Sequence, residues 1–267
     1  MTSYLSNLEK ITTDKYLKQG YLIEDIKDIK SFKKIDRYLK NQILRSYPDI
    51  NDNYENSEIF DNLHKHVKIK SLNDLRIKLI KSLFTKKEIK KAYYALSKEI
   101  LNQIVGNELA MQKRLNLSIQ LPNDKSSLLS VHADTWSGDS PYEVVVWLPL
   151  VNCYDSKSMF ILSPDKTKKL YQKKLSKISK GSNKTLFSKI KKDLNFINIK
   201  RGQFLIFNQN LPHGNIVNKT KFTRVSMNCR FKSIFSPYFK KELGEFFEPV
   251  SLRAASIDGM KFNLPKI

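Results

Sequence analysis

Cysteine is nearly absent from this 267-residue chain, with only Cys153 and Cys229. Two thiols make no disulfide framework, which excludes the stapled, secreted small-domain class and suits a reducing compartment. Both thiols read as buried small apolar residues. Glycine and proline are scarce, at eight and nine, about half the usual share. That excludes collagen-like and Gly/Pro-rich disordered chains. The longest apolar run, Val144 to Val151, contains Pro149 and falls far short of the roughly 18 residues needed to span a bilayer. The opening MTSYLSNLEKITTDKY has no apolar core of a secretory signal. A soluble, cytoplasmic protein is the expectation. Acidic residues are outnumbered, 26 against 48 Lys plus Arg, for a net charge of +22. The excess is mostly lysine dispersed among Asn and Ile. It reads either as a solvated basic surface or as an anion-binding one.

What is present suffices for a core: 40% of residues are hydrophobic and 11% aromatic, in a chain long enough to bury most of its apolar surface. One domain over 1–267 is expected. Residues 1–113 read as mainly helical. Ile29, Phe32, Ile35, Leu39 and Ile43 recur at helical spacing, and 83–105 reads as a helix ended by Gly106. Gly20 to Ile23 could supply a first strand.

From 114 to 235 the pattern is that of strands. Leu115, Leu117, Ile119 and Leu121 alternate with Asn116, Ser118 and Gln120, giving one apolar and one polar face. Further strands are expected at 127–132, 143–151, 158–162, 195–199, 203–207 and 223–231, with a turn at Arg201-Gly202. This density suggests a sandwich or barrel. A Lys-rich insertion, 165–192, is either a solvated helical excursion or a lid. Residues 236–267 form a C-terminal extension.

The chemistry begins at V-H-A-D-T-W. His132 and Asp134, two residues apart at a strand end, can turn an imidazole nitrogen and a carboxylate oxygen to the same side. That spacing is common by chance and decides nothing alone. Downstream lies His213, in N-L-P-H-G-N, and eleven residues later Arg224, followed at period two by Ser226. Two histidines and one carboxylate form a facial triad for Fe(II) that leaves three positions open. Two of these suit a bidentate 2-oxo acid and one suits O₂. A buried guanidinium suits the far carboxylate of such an acid, and Ser226 can add a hydroxyl.

The order His-x-Asp, distal His, then Arg-x-Ser resembles the Fe(II)/2-oxoglutarate-dependent oxygenases. Within them it is most similar to the phytanoyl-CoA-dioxygenase-like branch. The stretch HADTWSGDSPYEVVVWLPLV, from His132 to Val151, is similar to oxygenases of sporadic bacterial carbohydrate-biosynthesis clusters. The resemblance covers about 114–235 and extends loosely to YLKQGYLIEDI, Tyr16 to Ile26. It implies an α+β fold: a double-stranded β-helix (jelly-roll, cupin-like) core with the helical N-terminal part packed on it. It implies His132, Asp134 and His213 as iron ligands, and Arg224 with Ser226 on 2-oxoglutarate. By the same resemblance Gln120 offers an amide to the co-substrate, Trp147 lines the pocket, Gly202 makes the turn before the distal-His strand, and Asn218 shapes the loop after it. The implied reaction couples oxidative decarboxylation of 2-oxoglutarate to oxidation, as by hydroxylation, of a C–H bond in a small molecule.

A sugar or nucleotide-sugar precursor, anionic in character, is the expected substrate. The competing readings are a nucleic-acid-directed oxygenase, suggested by charge but short of aromatic platforms, and a non-catalytic jelly-roll binding module. Gln120 and Trp147 are balanced between pocket and packing. Trp136, Asp139 and Tyr142 are balanced between a substrate mouth and loop structure. His64 and His66 read as surface residues.

Overall fold

A computed structural model describes residues 4–172 and 183–263. The chain opens with α1 (Asn7–Gln19), β1 (Tyr21–Asp25), α2 (Ile29–Leu44), α3 (Asn56–Asp61), α4 (Ile69–Phe84) and α5 (Lys87–Ile104). Strands follow: β2 (Leu109–Gln112), β3 (Asn116–Gln120), β4 (Val144–Pro149) and β5 (Met159–Leu162). Two short helices, α6 (Pro164–Gln172) and α7 (Asn183–Ile190), interrupt them before β6 (Leu194–Phe196), β7 (Gln203–Asn208), β8 (His213–Asn215) and β9 (Arg224–Ser233). The described chain closes with β10 (Phe247–Ser251) and α8 (Ala254–Gly259). No helix among the described residues is long and apolar enough to cross a membrane.

The helices form where one apolar face recurs. α2 buries Phe32, Ile35, Leu39 and Ile43, and α4 buries Leu72, Leu75, Leu79 and Leu83. Asp28 starts α2 by accepting from the Ser31 amide at 2.9 Å. The expected helix over 83–105 is two helices meeting at Thr85-Lys86. The Thr85 hydroxyl donates to Ser82 O at 3.1 Å, capping α4, and α5 begins afresh. The helical layer lies on the sheet: Tyr93 of α5, fully buried, donates to Val146 O of β4 at 2.9 Å.

All ladder pairings between strands are antiparallel. The larger sheet runs β1-β7-β4-β9-β2-β10, with β3 also on β9, and the smaller runs β6-β5-β8. Strands therefore enter the sheet from outside the expected span 114–235: β1, β2 and β10. β2 and β3 pair with successive stretches of β9, Met111 opposite Phe231 and Asn116 opposite Asn228. Two more residues separate them on the first side than on the second. The intervening bulge breaks the alternation that marks β3 in the sequence, which hides β2.

The strand expected at 127–132 is not one. Its backbone is tied mainly by one side chain: Leu129 N donates to Asn215 Oδ1 at 2.7 Å and Asn215 Nδ2 donates to Ser127 O at 3.1 Å, beside one main-chain bond from Asn215 N to Leu129 O at 3.0 Å. Only His132 makes a β-bridge, to His213. Of the Lys-rich insertion, α6 and α7 are described, and 173–182 lies outside the described residues.

β9 explains why a cavity sits between the sheets. Its Val225, Met227, Cys229 and Phe231 belong to the apolar core shared with the helices. Its alternate residues, Arg224, Ser226, Asn228 and Arg230, line a cavity of about 470 Å³. The far wall comes from the smaller sheet through Met159, His213 and Asn215. Strand alternation thus sends one face to the core and a polar face inward.

Candidate active site

His132, Asp134 and His213 come together: a ligand atom of each lies within 4.8 Å of the others. Asp134 Oδ1 is 3.4 Å from His132 Nε2 and 3.7 Å from His213 Nε2. The bridge between His132 and His213 fixes the backbones, with N–H···O distances of 3.0 and 2.8 Å. Asp134 N is held by Gln209 O at 3.0 Å. Gly214 permits this approach, since a Cβ there would stand 2.7 Å from Leu129 O and 2.9 Å from Phe160 Cζ.

Each imidazole sets its Nδ1 against a backbone carbonyl, His132 on Ser130 O at 2.7 Å and His213 on Leu211 O at 2.8 Å. A carbonyl only accepts, so Nδ1 carries the proton and each Nε2 presents its lone pair toward Asp134. Burial pushes His213 down to about 4, aided by the neighbouring His132. Burial also works against protonation of His132, but the bonds that its protonated ring gives Asp134 and Ser130 O outweigh this and raise its pKa. Burial alone would raise Asp134. Its bond to His132 and the charge of Arg230 instead hold it well below the usual carboxylate range. Two neutral-capable imidazoles and a firmly ionised carboxylate are the donor set a divalent cation of intermediate softness takes.

Arg224 and Ser226 line the same cavity. Arg224 is 4% exposed, and among the described residues its guanidinium gives one hydrogen bond, Nη2 to Ser118 Oγ at 3.1 Å. Its Nε and the Ser226 hydroxyl have no partner among the described residues, and no carboxylate there pairs with Arg224. Burial lowers its pKa, with no carboxylate among the described residues to offset it. A buried cation left this way is costly unless something anionic joins it. The residues present therefore fit both a divalent metal and a carboxylate-bearing co-substrate.

Trp147 lines the cavity. Gln120 does not: it is fully buried opposite Arg224, its Nε2 donating to Ile216 O at 2.7 Å and its Oε1 unpartnered. Ser118, two residues earlier on the same polar face, is the residue that reaches Arg224. Gly202 takes φ +92° in the turn before β7. Asn218 shapes its loop by donating to Phe222 O at 2.7 Å and accepting from Thr220 N at 3.0 Å. Trp136 and Tyr142 are exposed, whereas Asp139 is buried against Lys241 and Arg230. His64 stands apart from the site, its Nδ1 3.1 Å from Thr223 Oγ1, and both cysteines are free and buried.

Among the cavity residues that escaped sequence reasoning are two arginines. Arg230 donates to Asp134 Oδ2 at 2.7 Å; carrying the period-two count from Arg224 two steps further would have found it. Arg76 reaches the cavity from α4 and binds Asp124 Oδ2 at 3.1 Å and Ile119 O at 2.6 Å. No local pattern marks it.

No protein-family model matches the chain, and no curated protein sequence matches it. Solved structures do. A nickel complex of the non-haem monooxygenase ThoJ superposes with a TM-score of 0.56 at 12% identity, covering 91% of this chain and 84% of that one. EctD from S. alaskensis with 2-oxoglutarate and 5-hydroxyectoine gives 0.52 at 12%, covering 89% and 80%. The non-haem alpha-ketoglutarate-dependent carbocyclase SnoK from nogalamycin biosynthesis gives 0.51 at 13%, covering 92% and 97%. At such identity the likeness is one of architecture. The chain has an α+β fold in which a jelly-roll, cupin-like core of the kind found in these oxygenases carries a helical N-terminal layer.

Proposed function

We propose that this protein is a non-haem Fe(II)- and 2-oxoglutarate-dependent dioxygenase that hydroxylates a C–H bond of a small polar molecule. The observation that carries the reading is the buried Arg224, without an anionic partner among the described residues, in the same cavity as the His132, Asp134 and His213 cluster. The three side chains would hold the metal. Arg224 would grip the far carboxylate of the co-substrate, with Ser226 as a second donor. Bound iron and 2-oxoglutarate supply oxidative decarboxylation, to succinate and CO₂, coupled to oxygenation of the substrate. The chain's own contribution is to orient both imidazoles through Ser130 O and Leu211 O, keep Asp134 ionised, and wall off water with Trp147, Met159 and Phe207.

The sequence similarity around His132 favours the phytanoyl-CoA-dioxygenase-like branch and a sugar or nucleotide-sugar substrate of surface-carbohydrate biosynthesis. Asn116, Asn228 and Ser126 on the cavity wall suit hydroxyl recognition. The test is an anaerobic titration of the Fe(II)-loaded protein with 2-oxoglutarate, watching for the weak visible charge-transfer band. His132→Ala and His213→Ala should abolish the band, and Arg224→Ala should mainly weaken the affinity for 2-oxoglutarate. Absence of the band in the wild-type protein overturns the reading. Succinate release stimulated by nucleotide sugars supports the substrate class, whereas stimulation by oligonucleotides replaces it with the nucleic-acid-directed alternative.

A further inference from the structure

Asp134 has two carboxylate oxygens, and the structure treats them differently. Oδ1 is the one near both imidazoles, 3.4 Å from His132 Nε2 and 3.7 Å from His213 Nε2. Oδ2 is turned away and accepts from Arg230 Nη2 at 2.7 Å. Arg230 is itself fixed on every side. Its Nε donates to Gln209 Oε1 at 3.1 Å and lies 3.2 Å from Asp139 Oδ1, and its Nη1 donates to Gln112 Oε1 at 3.3 Å. The partners are anchored in turn. Asp139 accepts from Lys241 at 2.6 and 2.7 Å. Gln209 donates to Glu143 Oε2 and to Ser140 O, each at 3.0 Å.

We infer that Arg230 is a positioning residue which reserves one oxygen of Asp134 and so limits this carboxylate to a single bond with the metal. The inference rests on the metal-site reading above and goes beyond it. A free carboxylate can chelate through both oxygens, and a chelating Asp134 would occupy a second position on the metal. Those positions are the ones a bidentate co-substrate and O₂ require. A charge-assisted, buried bond to Oδ2 removes that option. Charge alone does not explain the arrangement, because a cation beside a ligand weakens cation binding unless it improves the ligand's orientation. The fork of the guanidinium reaches Asp134, Asp139, Gln209 and Gln112 together, a geometry that the point charge of lysine lacks. Gln209 also holds the Asp134 backbone through its carbonyl, at 3.0 Å, so side chain and main chain of the ligand are set from one cluster.

The experiment uses cobalt(II), whose visible absorption reports coordination number. Wild-type protein, Arg230→Lys and Arg230→Gln are titrated with Co(II), and the folded fraction of each metal-free sample is checked by circular dichroism. His132→Ala serves as the site control. Both Arg230 variants should bind Co(II) about tenfold or more weakly per folded molecule and show an altered visible spectrum, consistent with a carboxylate free to use both oxygens. Arg230→Lys and Arg230→Gln that fold and give wild-type affinity and spectrum overturn the inference. Should one variant fail to fold, the other decides. Should both fail, the milder Gln112→Ala, which takes one anchor from Arg230 without removing it, decides by the same two readouts. Failure of wild-type protein to bind Co(II), or equal binding by His132→Ala, overturns the metal-site reading instead.

Discussion

Two arginines share the inner face of β9, six residues apart, and their surroundings are opposite. Arg230 meets Asp134 at 2.7 Å and Asp139 at 3.2 Å, and these carboxylates outweigh burial and raise its pKa. Arg224 meets no carboxylate among the described residues, and burial lowers its pKa. The same side chain on the same strand is thus a finished structural connection at one end and an open binding site at the other. Burial of a cation is informative when its partners have been counted: a paired guanidinium supports its neighbours, whereas an unpaired one costs stability until a guest arrives.

The contrast can be broken in four ways. Arg230→Met leaves Asp134 buried without its arginine and Asp139 with Lys241 alone, and should cost about 3–5 kcal/mol in denaturant unfolding of the metal-free protein. Arg224→Met should act with the opposite sign, leaving the metal-free protein unchanged or up to about 1–3 kcal/mol more stable, since an unpaired buried charge is removed. The same variant should lose the upward shift in melting temperature that 2-oxoglutarate gives the metal-loaded wild type. Destabilisation by Arg224→Met would mean that it, too, is structural.

Gly214→Ala drives a Cβ into Leu129 O and Phe160 and should cost about 1–3 kcal/mol. It should also weaken metal binding, because the displaced loop carries His132; denaturant unfolding checks the first effect and calorimetric titration with metal the second.

The smallest effect concerns the third cavity arginine, Arg76, whose partner Asp124 is fully buried. Burial alone would raise Asp124, but hydrogen bonds from Ser127 and Ser126 and the charge of Arg76 hold it below its ordinary range. A carboxyl lowered by folding stabilises above its unfolded value and loses that contribution as pH falls through the folded one. Asp124→Asn should therefore cost about 1–2 kcal/mol at neutral pH. The gap to wild type should close below about pH 4. A gap independent of pH would assign Asp124 a purely geometric part.

Legibility in the sequence followed the range of the interaction. The amphipathic face of α2 and the alternation of β3 are local, and both appear where their residues lead one to expect them. The region 127–132 misled because its apolar residues imitate a strand while its backbone is held by Asn215, 86 residues from Leu129. β2 was hidden by the bulge before β3, and Arg76 by its place on a helix far from the metal motif. Among the cavity residues, Arg224 and Ser226 were visible as an Arg-x-Ser pair. Asn228 and Arg230 continue the same alternation and needed no further information, only a longer count.

The order of side chains along the strands belongs to the sequence alone. His-x-Asp, the distal histidine and the polar face of β9 follow from residue type and the two-residue period, which no packing can alter. Which of those side chains meet, and which remain unsatisfied, was decided only by the tertiary structure. Antiparallel pairing brings His213 to His132 and encloses Arg224 without a counter-charge among the described residues. A carboxylate partner depends on which strands become neighbours in space, and no local pattern encodes that.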